Sequence, residues 1–324
     1  MKTNFVESEF APLKRVVLAQ SQFYLPEEEN ELDTSFLSEK NLDLFDHKVG
    51  DVADLYPDMQ TKWENEKVQM AQLLTSYGVE VIRPRMLTEF EKESGKQSGR
   101  GYANFFSRDP FFTIGHFVIE GNLRFPHRRL EVLPIRAILI EESKHPEAIY
   151  VATPQPDISQ GSASEAGPFL EGGDVLVYGK TIFVGYSGLA SNLNGISWLK
   201  SLLEHWDYNV VPVRLHPDIL HLDCALSMVK DGLMIYCEEA FLDGVPRELK
   251  NWDKINVSLK EASLLMTNGL PLNESVYITD QSFTKLIAEL EKYGMKVETL
   301  DYEVSMTFGG SFRCTTQALL RTTN

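Results

Sequence analysis

The sequence predicts an α/β fold assembled from recurring β-β-α-β units. Short β-rich runs alternate with one helix-like stretch at a time along the 324 residues. Turn signals separate the first two runs of a unit, as at Asp231-Gly232. The pattern returns at roughly fifty to sixty residues, although the units are not alike in sequence, so only the pattern repeats. One such unit cannot bury its helix and both sheet faces alone, whereas several packed around an axis can. No Gly/Ser linker or low-complexity tract divides the chain, so residues 1–324 are expected to form a single catalytic domain.

The elements follow in order. Arg15–Ala19 reads as a strand, and the acidic stretch Pro26–Asp58 as an irregular surface excursion. Trp63–Tyr77 reads as a helix stopped by Gly78 and followed by the strand Val79–Ile82. Phe111–Ile119 is β-rich, Arg129–Ile140 reads as helical despite Pro134, and Ile149–Ala152 is a strand. Val175–Val177 and Ile182–Val184 flank Tyr178-Gly179-Lys180-Thr181 as a hairpin. Asn192 caps a helix running to about Glu204, and Val210–Val213 is the next strand. Ala225–Val229 pairs with Leu233–Tyr236, and Leu264–Met266 with Val276–Ile278. Phe283–Tyr293 is a helix ending at Gly294, before the strand Val297–Leu300.

Composition narrows the function classes. The formal charge of −16 repels phosphate backbones, so nucleic acid is not an expected partner, whereas a small cation would be attracted. There is no long apolar run, and Met1–Phe5 opens no apolar signal segment, so no membrane is expected and the cytoplasm is the default compartment. The three cysteines, Cys224, Cys237 and Cys314, form no CxxC pair, which argues against a disulfide scaffold and a zinc ribbon. A homo-oligomer is allowed.

Four stretches hold polar groups in apolar or Gly-rich surroundings: Phe105–Phe111, Phe169–Val175, Leu220–Leu226 and Phe308–Thr316. In the third, His221 and Asp223 would share one face of an extended segment. Viewed alone, that is equally a polar strand edge. Glu171 before Gly172-Gly173 reads as a tight turn, and Gly309-Gly310 before Cys314 as a close backbone approach. A P-loop ending in Gly179-Lys180-Thr181 fails, because Asp174 stands where it needs glycine. A metal site from His221, Asp223 and Cys224 is disfavoured, since adjacent Asp and Cys side chains oppose each other on a strand.

Taken together, Arg108-Asp109-Pro110, Glu171-Gly172-Gly173-Asp174, His221-Leu222-Asp223 and Gly309-Gly310-Ser311-Phe312-Arg313-Cys314, in this order, resemble the pentein superfamily of guanidino-modifying enzymes. Arginine deiminase, dimethylarginine dimethylaminohydrolase and glycine amidinotransferase are among its members. The resemblance runs from near Phe10 to Arg321 and implies a five-bladed α/β propeller of ββαβ units. Ile114-Gly115, Val118-Ile119-Glu120, Ile182-Phe183-Val184 and Gly309–Cys314 are similar to glycine amidinotransferase. Glu171 and Pro126–Arg129 look more like the deiminases. Where arginine-processing hydrolases carry an arginine for the substrate carboxylate, this chain has Leu189.

The resemblance implies a nucleophile, Cys314, that attacks the central carbon of a small cationic guanidino substrate. His221 would protonate the departing amine and activate the second nucleophile, and Glu171 would orient His221. Asp109 and Asp223 would grip the guanidinium edges by charge-assisted hydrogen bonds. Arg128 is assigned to substrate binding, with an ion pair to Glu131 as its bland alternative. Arg313, expected to alternate away from Cys314, is left out, and Asp174 reads as structural. No metal or organic cofactor is expected. An incoming amine gives amidino transfer, which is the first reading. Water gives hydrolysis of a guanidino or ureido compound, the second. An inactive binding protein of the same fold is a third, against which the intact Cys314, His221 and Glu171 set argues.

Overall fold

The computed structural model describes residues 4–26, 48–157, 159–161 and 164–323. It is a mixed α/β structure in which five sheets share one connectivity: an antiparallel pair, then a crossover to a parallel third strand. A tight turn suffices for the antiparallel step, whereas the parallel step needs a long crossover, and this asymmetry dictates the ββαβ order.

The first unit is built from both ends of the chain. Thr316–Arg321 pairs antiparallel with Leu13–Leu18, which pairs in parallel with Glu80–Ile82 after the helix Pro57–Ser76. Phe5–Val6 extends its other edge. The second unit comprises Phe111–Ile114, Phe117–Glu120, the helix Arg136–Glu142 and Ile149–Ala152. The third has Val175–Tyr178, Thr181–Tyr186, the helix Leu193–Leu203 and Asn209–Arg214. The fourth has Leu226–Lys230, Leu233–Tyr236 and Asp253–Asn256, and the fifth has Leu270–Asn273, Val276–Asp280, the helix Thr284–Lys292 and Lys296–Leu300. A small sixth sheet joins Gln22–Leu25, Gly50–Asp51 and Tyr102–Asn104. Among the described residues, no helix is long and apolar enough to cross a membrane.

Several expected elements hold with shifted ends. Asn192 caps its helix by accepting from the Gly195 amide, and Gly78 and Gly294 take positive φ at helix stops. Other readings are corrected. Leu264–Met266 is not a strand: it follows the short helix Leu259–Ser263, with Leu265 in left-handed backbone. The true partner of Val276–Asp280 is Leu270–Asn273, whose Pro271 is tolerated because this strand lies at a sheet edge. The helix read over Arg129–Ile140 begins only at Arg136, after Pro134, and the segment before it opens with the 3-10 turn Pro126–Arg128. The fourth unit crosses over through the 3-10 turns Glu238–Ala240 and Arg247–Leu249, a stretch in which the sequence reading named no helix. Of the stretch read as irregular over Pro26–Asp58, residues 27–47 lie outside the described residues. Its end is ordered: Asp51 caps the short helix Val52–Leu55, and Pro57 opens the long helix at the position proline favours.

Candidate active site

In every unit, the segment just before the first strand carries buried polar side chains. These are Ser107–Asp109, Glu171–Asp174, His221–Asp223, Thr267–Asn268 and Ser311–Thr315. Hydrogen bonds link each segment to the next. Gly173 N donates to Asp109 Oδ1 at 3.0 Å, and Leu222 N to Asp174 Oδ1 at 3.0 Å. Thr267 Oγ1 donates to the Asp223 carbonyl at 3.3 Å. Asn268 Oδ1 accepts from Ser311 N and Cys314 N, both at 3.2 Å. The amides of Ser107 and Arg108 then donate to the Cys314 carbonyl at 3.2 Å, which closes the ring.

Three of the implied residues form one buried polar core. His221 Nε2 lies 2.9 Å from Glu171 Oε2, and its Nδ1 lies 3.8 Å from Asp109 Oδ1. Glu171 Oε1 accepts from the Arg124 amide at 2.8 Å, so this carboxylate is held at both oxygens. Burial opposes a charge on His221, but Asp109, Glu171 and Asp174 outweigh it and raise its pKa to about 10. The imidazole is therefore protonated at neutral pH. For Asp109, burial acts to raise the pKa, yet His221 and Arg128 hold it below the usual carboxylate range.

Arg128 is buried against three carboxylates. It donates to Asp109 Oδ2 at 2.8 Å and to both oxygens of Glu131 at 2.8 and 2.9 Å, and it lies 3.6 Å from Glu171. Both oxygens of Asp109 are thus engaged, one by Gly173 N and one by Arg128. Asp223 differs. Its Oδ2 is buried without a hydrogen-bond partner, 3.4 Å from Arg313 Nε. Burial, with Asp109 and Asp174 nearby, pushes its carboxyl up to about 7.

Cys314 is buried and packs in an apolar cluster with Phe105, Phe106 and Phe308. Burial first, then Asp223 and Asp109, raise its thiol well above the ordinary value. Both burial and the carboxylates favour the neutral thiol.

The glycines act by closeness. A Cβ on Gly173 would stand 2.7 Å from both Asp109 Oδ1 and the His221 ring, and one on Gly310 would stand 2.2 Å from the Phe106 ring. Gly172-Gly173 is a 3-10 turn without positive φ, so contact with its neighbours, not left-handed backbone, demands glycine there.

The local geometry around His221 and Cys314 departs from the extended segments expected. His221 is extended, but Leu222–Cys224 forms a 3-10 turn. Cys224 Sγ consequently lies 3.6 Å from Asp223 Oδ1, where a strand would have opposed them. Ser311–Thr315 is also a turn, with Thr315 N donating to Ser311 O at 3.0 Å, and it brings Arg313 behind Asp223. Asp174 holds the amides of Leu222 and Ser191, a structural role. The residue that sequence reading missed is Asn268. Its Thr-Asn-Gly setting reads as an ordinary turn, and only its place before a first strand, like the other four segments, marks it. Asp109, Glu171 and His221 offer ligand atoms within 4.8 Å of one another, the spacing of a metal site, but Arg128 already faces both carboxylates. Leu189 is buried with Phe125, Ala190 and Leu220, an apolar cluster adjoining His221 in sequence.

A family model described as N,N dimethylarginine dimethylhydrolase, eukaryotic, matches residues 43–321. Inosamine-phosphate amidinotransferase 1 of Streptomyces griseus is 27% identical over 292 residues, covering 82% of this chain and 83% of that protein. Its counterpart from Streptomyces glaucescens is 25% identical over 343 residues, covering 98% and 96%. Among solved structures, an amidinotransferase of the Microseira wollei saxitoxin pathway superposes with a TM-score of 0.79 at 21% identity, covering 98% of this chain and 97% of that one. The DDAH of Pseudomonas aeruginosa, complexed with citrulline, gives a TM-score of 0.67 at 15% identity, covering 95% and 99%. At such identities the two structures speak for the fold alone.

Proposed function

For this chain, which belongs to the N,N dimethylarginine dimethylhydrolase family within the pentein superfamily of guanidino-modifying enzymes, we propose amidino transfer from an arginine-like donor to an amine through a covalent Cys314 intermediate. The observation that carries the reading is the convergence of Asp109, Glu171, His221, Asp223 and Cys314, from four separate units, into one buried ring of segments. The same ring supports reading the five units as the blades of a propeller around a central axis. Each segment bonds the next, and the last returns to the first.

In this reading the substrate guanidinium enters beside Asp223, whose Oδ2 pairs with Arg313 but accepts no hydrogen bond and so offers the substrate a charge-assisted one. Asp109 contributes charge, while its oxygens stay with Gly173 and Arg128. The cation offsets the two carboxylates that, together with burial, keep Cys314 protonated, and the thiol gives its proton up to solvent to become the thiolate. Sulfur bonds to the central guanidino carbon. The carbon–nitrogen bond to the leaving amine then breaks, and the charged His221 supplies that nitrogen with a proton. An S-alkylthiouronium remains. Neutral His221 takes a proton from the incoming amine as it attacks, and the carbon–sulfur bond breaks to restore the thiolate. Glu171 holds the imidazole through Nε2 and stabilises its charged form.

Hydrolysis is the second reading, and the match to a dimethylhydrolase family model favours it. It shares every step except the last, where water replaces the amine. Mass-spectrometric product analysis with an arginine-like donor, with and without candidate amines, separates the two. A new guanidino product that forms only with an amine is the expected result. A ureido product formed equally without one would overturn the transfer reading.

A further inference from the structure

Behind Cys314 and Asp109, three arginines are buried together: Arg108, Arg313 and Arg321. Glu9 Oε2 accepts from Arg313 at 2.6 Å and from Arg108 at 3.1 Å, while its Oε1 accepts from Val177 N at 3.0 Å. Arg313 also lies 3.4 Å from Asp223. Arg321 donates to the carbonyls of Ala11 and Pro271. Among the described residues, two of these guanidiniums, Arg108 and Arg313, form ion pairs, with Glu9 and with Asp223 on the substrate side, while Arg321 bonds backbone carbonyls. A buried excess of charge is costly unless something offsets it.

Glu9, Arg108, Thr113, Gln317 and Arg321 line a small cavity that is otherwise walled by apolar side chains such as Phe112 and Val177. It has room for the centre of one water-sized sphere, about 10 Å³. Apart from the Thr113 hydroxyl, which can donate or accept and so could take at most one hydrogen of a water, the side-chain acceptors at its wall are already in use. Both Glu9 oxygens are engaged, and Gln317 Oε1 takes Arg108. Donors remain: Arg108 Nε and the Thr113 hydroxyl are buried without a hydrogen-bond partner. A water would need acceptors for its own hydrogens, whereas an anion needs donors only.

We propose that this cavity binds one small monovalent anion of the halide class, held by Arg108, Arg321 and Thr113. The anion offsets the charge excess and ties the first strand pair of the second unit to the chain-closing strand. Burial lowers the pKa of Arg321 to about 10, with Glu9 opposing and Arg108 adding to the shift.

The test is thermal unfolding of the dialysed full-length protein in sodium chloride and in sodium gluconate at equal ionic strength, since gluconate is too large for the cavity. Chloride should raise Tm by about 2–5 °C in a saturating manner. Thr113→Val, which keeps shape and removes one donor, should move the half-saturating chloride concentration up by about tenfold. Crystals grown in sodium bromide should show an anomalous peak between Arg108 and Arg321. Equal Tm in the two salts, with no bromide peak, would mean that water fills the cavity and would sink the proposal.

Discussion

Asp223→Asn should act in opposite directions on turnover and on the free thiol. The change keeps the shape of the side chain and removes the charge at the one proposed clamp carboxylate with an oxygen that accepts no hydrogen bond. Losing a charge-assisted hydrogen bond to a guanidinium costs about 1.5–3 kcal/mol, so kcat/KM for guanidino substrates should fall roughly ten- to a hundredfold. The same carboxylate helps hold the Cys314 thiol well above its ordinary pKa. Removing a like charge at close range lowers such a pKa by about one unit, so iodoacetamide should label Cys314 of the free variant about tenfold faster at fixed pH. The pH profile gives a third readout. The Asp223 carboxyl is raised to about 7, so it is neutral below that pH and carries its charge above it. Wild-type kcat/KM should therefore decline as pH falls through about 7, and the variant should lose this limb. Slower turnover together with slower or unchanged labelling would refute the electrostatic argument, because it would mean that Asp223 does not face the thiol. Unchanged kcat/KM would remove Asp223 from the clamp altogether.

Cys314→Ala and Cys314→Ser should abolish turnover while the circular dichroism spectrum stays that of the wild type, and rapid acid quench of the wild type should trap a covalent adduct by mass spectrometry; wild-type turnover in Cys314→Ala would exclude it as the nucleophile. Asn268→Ala leaves the amides of Ser311 and Cys314 without their acceptor, so kcat should drop about tenfold with KM little changed; a change confined to KM would contradict a role in positioning the nucleophile. Leu189 is apolar and Arg128 is committed to Asp109 and Glu131, so no free cation is provided at these positions for a substrate carboxylate. The enzyme should consequently discriminate less than about tenfold in kcat/KM between L-arginine and agmatine; a preference for arginine of a hundredfold or more, the scale of one charge-assisted contact, would show that a carboxylate-binding cation exists after all.

The sequence alone determined the alternation of β pair, helix and parallel strand, because hydrophobic period and turn chemistry are local properties. Asp231-Gly232, Asn192 and Gly294 each mark a boundary that depends only on neighbours a few residues away. It also displayed the residues of the proposed site, since Glu171-Gly172-Gly173-Asp174 and Gly309–Cys314 stand out as polar and glycine clusters in apolar surroundings. Where nonlocal contacts compete with local preference, the local reading failed. Pro271 sits in a strand because that strand is an edge, and Leu264–Met266 is a turn although its composition suits a sheet. Only the tertiary structure decided which partners each charge meets. Arg128 lies across Asp109 and Glu131, Arg313 stands behind Asp223, and Asn268 holds the Cys314 loop from 46 residues away. Those pairings depend on how five chain segments converge in a buried space, where leaving a charge or donor without a partner is costly.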